Sequence, residues 1–145
     1  MTEQPAPVLS LTAWAEDSIK SFLTATTEEH FHAAVNAYLA PHVRVTHNGK
    51  SLTREKYIKA LRTARGDLHL QPTITFKNTV SVSSDQKKPN DAGTVGLFFQ
   101  VVVQSPENHI TTSLNIVVET LGDSVYTDRR VVVLDQIGLQ TAASS

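Results

Sequence analysis

Cysteine is absent from all 145 residues. That excludes a disulfide, a thiolate metal site and a cysteine nucleophile. Charge of one sign is also lacking, since 13 Lys and Arg against 14 Asp and Glu leave a formal net charge of -1. No basic excess points to nucleic acid, and no run of like charges forms an interaction tail. No apolar run approaches the length of a membrane span. The opening MTEQPAPVLSL has neither the basic nor the long apolar region of a signal peptide. No Asn-x-Ser/Thr glycosylation acceptor occurs. Together these absences set the expectation of a cytoplasmic protein with no nucleic-acid and no membrane partner.

What is present suffices for a core. The apolar fraction is 40%, and a chain of this length forms one domain at that composition. The expected layout is a flexible N-terminus over 1–11, a single domain over 12–138 and a flexible C-terminus over 139–145.

The most informative stretch is PHVRVTHNGKSLTREKYIKALRTARG, Pro41 to Gly66. Val43, Val45 and His47 alternate with Arg44 and Thr46, the period of a half-buried strand. Asn48-Gly49 is a turn signal. Thr53 then caps a helix with Glu55 in its first turn. Tyr57, Leu61 and Ala64 form that helix's inner stripe, and Gly66 ends it.

Two helices precede this stretch. The first spans about Thr12 to Ala25, with Leu11, Ala15, Ile19, Phe22 and Leu23 on one face. The second opens on a Thr26/Glu29 capping box, carries Phe31, Ala34, Val35, Tyr38 and Leu39 at helical spacing, and stops at Pro41. The linker between them allows only a hairpin or an L.

After Gly66 the period is two throughout. A strand over Thr73–Ser83 puts Ile74, Phe76, Asn78, Val80 and Val82 on one face. The strand Thr94–Gln104 turns Val95, Leu97, Phe99, Val101 and Val103 inward. After a Ser105–Asn108 hairpin turn, Ile110–Leu121 turns Ile110, Thr112, Leu114, Ile116 and Val118 inward. A last strand, Val125–Ile137, is apolar on both faces around Val131–Leu134. Arg129 and Arg130 lie in that strand, where solvation at the surface is the expectation.

Helices first and an antiparallel meander after them make an α+β plan. The run Phe31-x-x-Ala34-Val35-x-x-Tyr38-Leu39-Ala40-Pro41-x-Val43-x-Val45, then Asn48-Gly49-Lys50, then Thr53-x-Glu55-x-Tyr57-Ile58-x-x-Leu61 resembles the nuclear transport factor 2-like (NTF2-like) superfamily. The SnoaL-like and ketosteroid-isomerase-like branches are included in that resemblance. It implies a cone-shaped fold, with three N-terminal helices packed on a curved antiparallel mixed sheet around a cavity. It also implies no cofactor.

In ketosteroid-isomerase-like members, the resemblance places a general-base carboxylate near the inner end of the short strand. Here that position holds His47, the candidate catalytic residue, since an imidazole side chain can take up a proton as a general base. The branch also uses a Tyr on the first helix and an Asp on the penultimate strand. The first helix here has no Tyr, and the penultimate strand offers Asn115, which alternates away from the apolar face. An epoxide-hydrolase-like Asp-Arg-Asp set does not assemble either, because Asp128 alternates against Arg129 and Asp135. His30 with His32, and His42 with His47, diverge. Asp67 with His69 lacks a third ligand, so no metal site is expected.

The candidate ligand-binding residues are Trp14, Tyr38, Tyr57, Asn78 and Phe99, facing a small apolar molecule. The candidate homodimer interface is the sheet's outer face, read as Phe98, Val102, Val132 and Leu134. Three functions stay open: a small-molecule binder, a cofactor-free acid–base enzyme (isomerase, cyclase or dehydratase) using His47, and a homodimeric interaction adaptor.

Overall fold

The computed structural model describes residues 7–104 and 107–142. Three helices come first. Helix α1 (Leu11–Leu23) is capped by Ser10, whose hydroxyl accepts from the Ala13 N–H at 3.2 Å. Helix α2 (Glu28–Tyr38) is capped by Thr27. The expected Thr26/Glu29 capping box is therefore displaced by one residue. Thr27 Oγ1 accepts from the His30 N–H at 3.1 Å, and His30 has no carboxylate to complete the box. Glu28 and Glu29 still lie in the first turn, where they complement the helix dipole.

The ring contacts between α1 and α2 run in opposite chain order. Trp14 meets Tyr38 at 6.0 Å and Phe22 meets Phe31 at 6.2 Å, the mark of a helical hairpin. The chain passes from Tyr38 directly into strand β1 (Leu39–His47). Pro41 is thus a strand residue, not the helix stop. It sits where the pairing register shifts, between Leu39 and Arg44. Nearby carbonyls find a side-chain donor instead: Arg54 Nε gives to Ala40 O at 3.1 Å and Arg54 NH2 to Leu39 O at 3.3 Å.

Asn48 and Gly49 both take positive φ, 51° and 81°, and turn β1 back onto β2 (Lys50–Leu52). Helix α3 (Arg54–Arg65) follows with the expected cap, Thr53 Oγ1 accepting from the Lys56 N–H at 3.2 Å. Gly66 closes it at φ 73°. Arg65 is buried and donates to the carbonyls of Asp67, Leu68, Leu70 and Ala25, which shapes the following loop. Asp67 accepts from the His69 backbone N–H at 2.9 Å, a turn-holding role.

The remaining strands are β3 (Thr73–Ser83), β4 (Gly93–Val103), β5 (Asn108–Thr120) and β6 (Arg129–Ala142). Part of the expected Ser105–Asn108 turn, residues 105–106, lies outside the described residues. One mixed sheet results, in the order β2-β1-β6-β5-β4-β3, with β1 parallel to β6 and every other pair antiparallel. Its inner face meets the helices. Val95, Leu97, Phe99, Val101, Leu114, Ile116 and Leu134 share one core cluster with Ile19, Phe22, Phe31, Val35 and Tyr38.

Two β-bulges correct the strict alternation. Phe76 pairs with Phe99 but Asn78 pairs with Phe98, which leaves Lys77 as the extra residue. Beyond it the inward parity passes to Thr79, while Val80 and Val82 are 60% and 73% exposed. On β6, Val131 pairs with Val118 and Val133 with Val117, so Val132 is the extra residue. Leu134 consequently faces inward and is fully buried, and Val132 is buried at the bulge. Neither belongs to an exposed outer face, as the alternation had suggested.

The last strand also begins later and runs further than expected, from Arg129 through Leu139 to Ala142. Arg129 is not a solvated surface residue. It is 2% exposed, donates to Leu9 O at 2.7 Å and Asn90 O at 3.0 Å, and lies over the Trp14 ring.

Candidate functional site

The site lies between α3 and the inner face of the sheet. Tyr38 is the last residue of α2, so its ring enters the core from the end of the apolar stripe. It packs between Trp14 and Phe22. Its hydroxyl is buried and has no hydrogen-bond partner among the described residues. Tyr57, in the first half of α3, is also buried. Its hydroxyl donates to Gln136 Oε1 at 2.5 Å. Gln136 stands on the inner face of β6, directly beside His47 in the parallel β1–β6 register.

These groups surround a chamber of 60 Å³. Ile19, Phe22 and Leu23 of α1 form one wall, Leu61 and Ala64 of α3 another. Phe99, Val101, Thr112 and Leu114 form the sheet side, with Tyr38, Tyr57 and Gln136 as polar-tipped members. The chamber adjoins an open vestibule of 730 Å³. Tyr57, Leu61, Ala64, Ile110 and Gln136 line both. The vestibule adds His47, Asn48, Lys56, Lys59, Gly138 and Gln140.

Burial pushes both tyrosine hydroxyls well above their ordinary titration range, and for Tyr57 the neighbouring Tyr38 adds to the effect. Both therefore stay protonated at neutral pH, and Tyr57 gives its proton to Gln136. His47 is half-buried and meets the Tyr57 ring edge-on at 6.2 Å.

Of the residues singled out from sequence, the structure brings Tyr38, Tyr57 and Phe99 into the chamber and His47 into the vestibule. Trp14 stands behind Tyr38. Asn78 is exposed, because the bulge at Lys77 turns it to the outer face opposite Phe98. Gln136, Lys56 and Lys59 were not singled out. Gln136 becomes an inner residue only beyond the Val132 bulge, which leaves no compositional trace. The lysines sit one and four residues before Ala60, on the flank of a stripe that was readable. Among the described residues no group of three or more His, Cys, Asp or Glu converges on a metal-sized site.

No protein-family model matches the chain, and no curated protein matches it by search. Solved structures do. An NTF2-like protein of unknown function in nutrient uptake from Rhodospirillum rubrum superposes with a TM-score of 0.63 at 10% identity, covering 88% of this chain and 97% of that one. A candidate calcium/calmodulin dependent protein kinase II association domain from Xanthomonas campestris gives 0.62 at 10% identity, covering 96% and 95%. A candidate ketosteroid isomerase from Shewanella frigidimarina gives 0.56 at 17% identity, covering 84% and 93%. The resemblance drawn from the sequence thus holds at the level of architecture: three helices on a curved six-stranded sheet, an NTF2-like fold.

Proposed function

We propose that the helices and sheet close a cone whose interior binds a small, largely apolar molecule. The observation that carries this reading is the chamber itself, an apolar-walled space of 60 Å³ that shares Leu61, Ala64 and Ile110 with the open vestibule. The adjoining vestibule supplies the entrance. The test is native mass spectrometry of the protein incubated with methyl propyl ketone or a metabolite extract, beside the variant Ala64→Phe. Ala64 borders both spaces, so a phenyl group there fills the chamber mouth. Stoichiometric adducts on the wild type and none on the variant support the reading. Equal adducts on both proteins, or none on either, defeat it.

A second reading is acid–base catalysis on the bound molecule, with His47 as base and Tyr57 as donor. The edge-on packing of His47 against Tyr57 supports it. Such a site would exchange the protons next to a ketone carbonyl for deuterium in heavy water, and His47→Ala would abolish that exchange while leaving binding intact. Exchange unchanged in His47→Ala removes His47 from the chemistry. A homodimer through the sheet's outer face accompanies either reading, supported by exposed apolar side chains there.

A further inference from the structure

We infer that Gln136 selects the ligand, and that the ligand is a carbonyl compound: a short alkyl end in the chamber, its carbonyl oxygen accepting from the Gln136 amide at the chamber mouth. This rests on the small-molecule reading above and specifies its chemistry.

The mouth decides the chemistry, since whatever joins chamber to vestibule must pass it. Tyr57, Leu61, Ala64, Ile110 and Gln136 line both spaces. Leu61, Ala64 and Ile110 present only carbon. The Tyr57 hydroxyl has its hydrogen committed to Gln136 Oε1. That leaves the Gln136 amide nitrogen, which carries two N–H donors and makes no hydrogen bond among the described residues. Unlike the Tyr38 hydroxyl, it is not sealed from solvent.

The direction of that amide is fixed. A carboxamide is planar, so holding Oε1 on Tyr57 turns Nε2 the other way. A Cβ on Gly138 would lie 3.7 Å from Nε2, and Gly138 borders the vestibule rather than the chamber. The donor therefore stands on the vestibule side of the mouth. The strand holds the base of the side chain: the Gln136 carbonyl accepts from the Asn48 N–H at 2.8 Å. Leu114, a chamber residue, flanks Gln136 on β5 and His47 flanks it on β1.

Size sets what lies beyond the carbonyl. An apolar cavity of about 150 Å³ accepts benzene. The chamber has 60 Å³, room for a short alkyl group and not for a ring. A ligand with that end inside brings its next group to the mouth, where the free donors of Gln136 favour an acceptor oxygen.

The test compares methyl propyl ketone with methyl propyl sulfide, whose sulfur is a weak acceptor on a similar chain. Affinities come from chemical-shift titration of the ¹⁵N-labelled protein. The wild type should bind the ketone about tenfold tighter than the sulfide, and the Gln136 side-chain amide resonances should move with the ketone and not with the sulfide. Gln136→Met should erase the preference and keep the sulfide affinity. Tyr57→Phe frees the carboxamide to turn, so it should narrow the preference, again with sulfide affinity unchanged; a merely structural role for Tyr57 would weaken both probes alike. His47→Ala should keep the preference. Equal binding of the two probes, unmoved Gln136 amide resonances, a preference that survives Gln136→Met, or one lost in His47→Ala overturns the assignment to Gln136 while the binding reading stands. No binding of either probe, by titration and native mass spectrometry, overturns both.

Discussion

At the residue scale the two buried tyrosines differ in one respect, and that difference is measurable. Tyr57 has its acceptor in Gln136, whereas Tyr38 has none among the described residues. Tyr57→Phe leaves the Gln136 carbonyl without its donor and should lower stability by about 1 kcal/mol. Tyr38→Phe removes an unsatisfied hydroxyl while keeping the ring between Trp14 and Phe22. It should raise the stability of the ligand-free protein by about 1 kcal/mol, read as a higher urea midpoint. A drop of that size would mean the hydroxyl is satisfied in solution. Both hydroxyls have raised folded-state pKa values. Above pH about 10 the unfolded chain releases tyrosine protons that the folded chain retains. Stability from this source is therefore full below about pH 10 and is lost as pH rises toward the folded-state values. The double variant Tyr38→Phe, Tyr57→Phe should flatten the alkaline fall in urea midpoint; an unchanged slope would assign that fall to other groups. Arg129 makes the opposite case. It ties Leu9 and Asn90 to β6 from a buried position, so Arg129→Ala removes two donors and the cover on Trp14. The expected loss is roughly 3 kcal/mol.

At the element scale, glycines decide where α1 and the vestibule sit. A Cβ on Gly93 would lie 2.7 Å from Leu11 Cδ1 and 3.0 Å from the Ser83 backbone. The strand backbone cannot yield there without disturbing the β3–β4 ladder, so Gly93→Ala should cost about 2 kcal/mol. Gly138 is the contrary instance. Its nearest neighbours to a Cβ are 3.7 Å away, and it borders the vestibule. Gly138→Val should leave thermal stability unchanged and weaken ligand uptake about tenfold; unaffected uptake would place the entrance elsewhere. Elements of this kind were legible to different degrees. Thr53, Gly66 and the Tyr57/Leu61/Ala64 stripe were readable, because capping and helical period act within a few residues. The α2 cap was misplaced by one residue because two adjacent threonines compete for it. The bulges at Lys77 and Val132 were not readable. Each inserts one residue with no distinctive composition, and every later side chain then changes face. That single effect moved Asn78 out of the site, moved Leu134 into the core, and concealed Gln136 as the partner of Tyr57.

At the scale of the whole molecule, the sheet has one covered face and one open face. On the open face β3 contributes Val80 and Val82, β4 Phe98, and β6 Val133, Ile137 and Leu139, all 39% or more exposed. The ladders place Phe98, Ser113 and Ile137 side by side in one row, and Gln100, Thr111 and Leu139 in the next. Exposed apolar side chains so grouped are costly in a monomer and favour an interface. The homodimer proposed above would put a second copy there, since a two-fold axis lets one patch cover itself. Fully burying a large aliphatic or aromatic side chain is worth about 1.5–3 kcal/mol. These six residues are only partly exposed, yet doubled across two chains they can exceed the roughly 4–15 kcal/mol that association costs. Phe98 and Ile137 lie nearest the centre of the patch, whereas Val82 lies on the edge strand. Light scattering after gel filtration should therefore find a dimer for the wild type, monomers for Phe98→Asp and Ile137→Asp, and a dimer for Val82→Asp. Because Phe98, Ile137 and Leu139 carry no charge, the dimer should persist in high salt. A wild-type monomer at about 100 μM, near the weak limit for a specific complex of ordinary size, would assign the apolar face to another partner. It would leave the chamber untouched, since the chamber and the open face lie on opposite sides of the sheet.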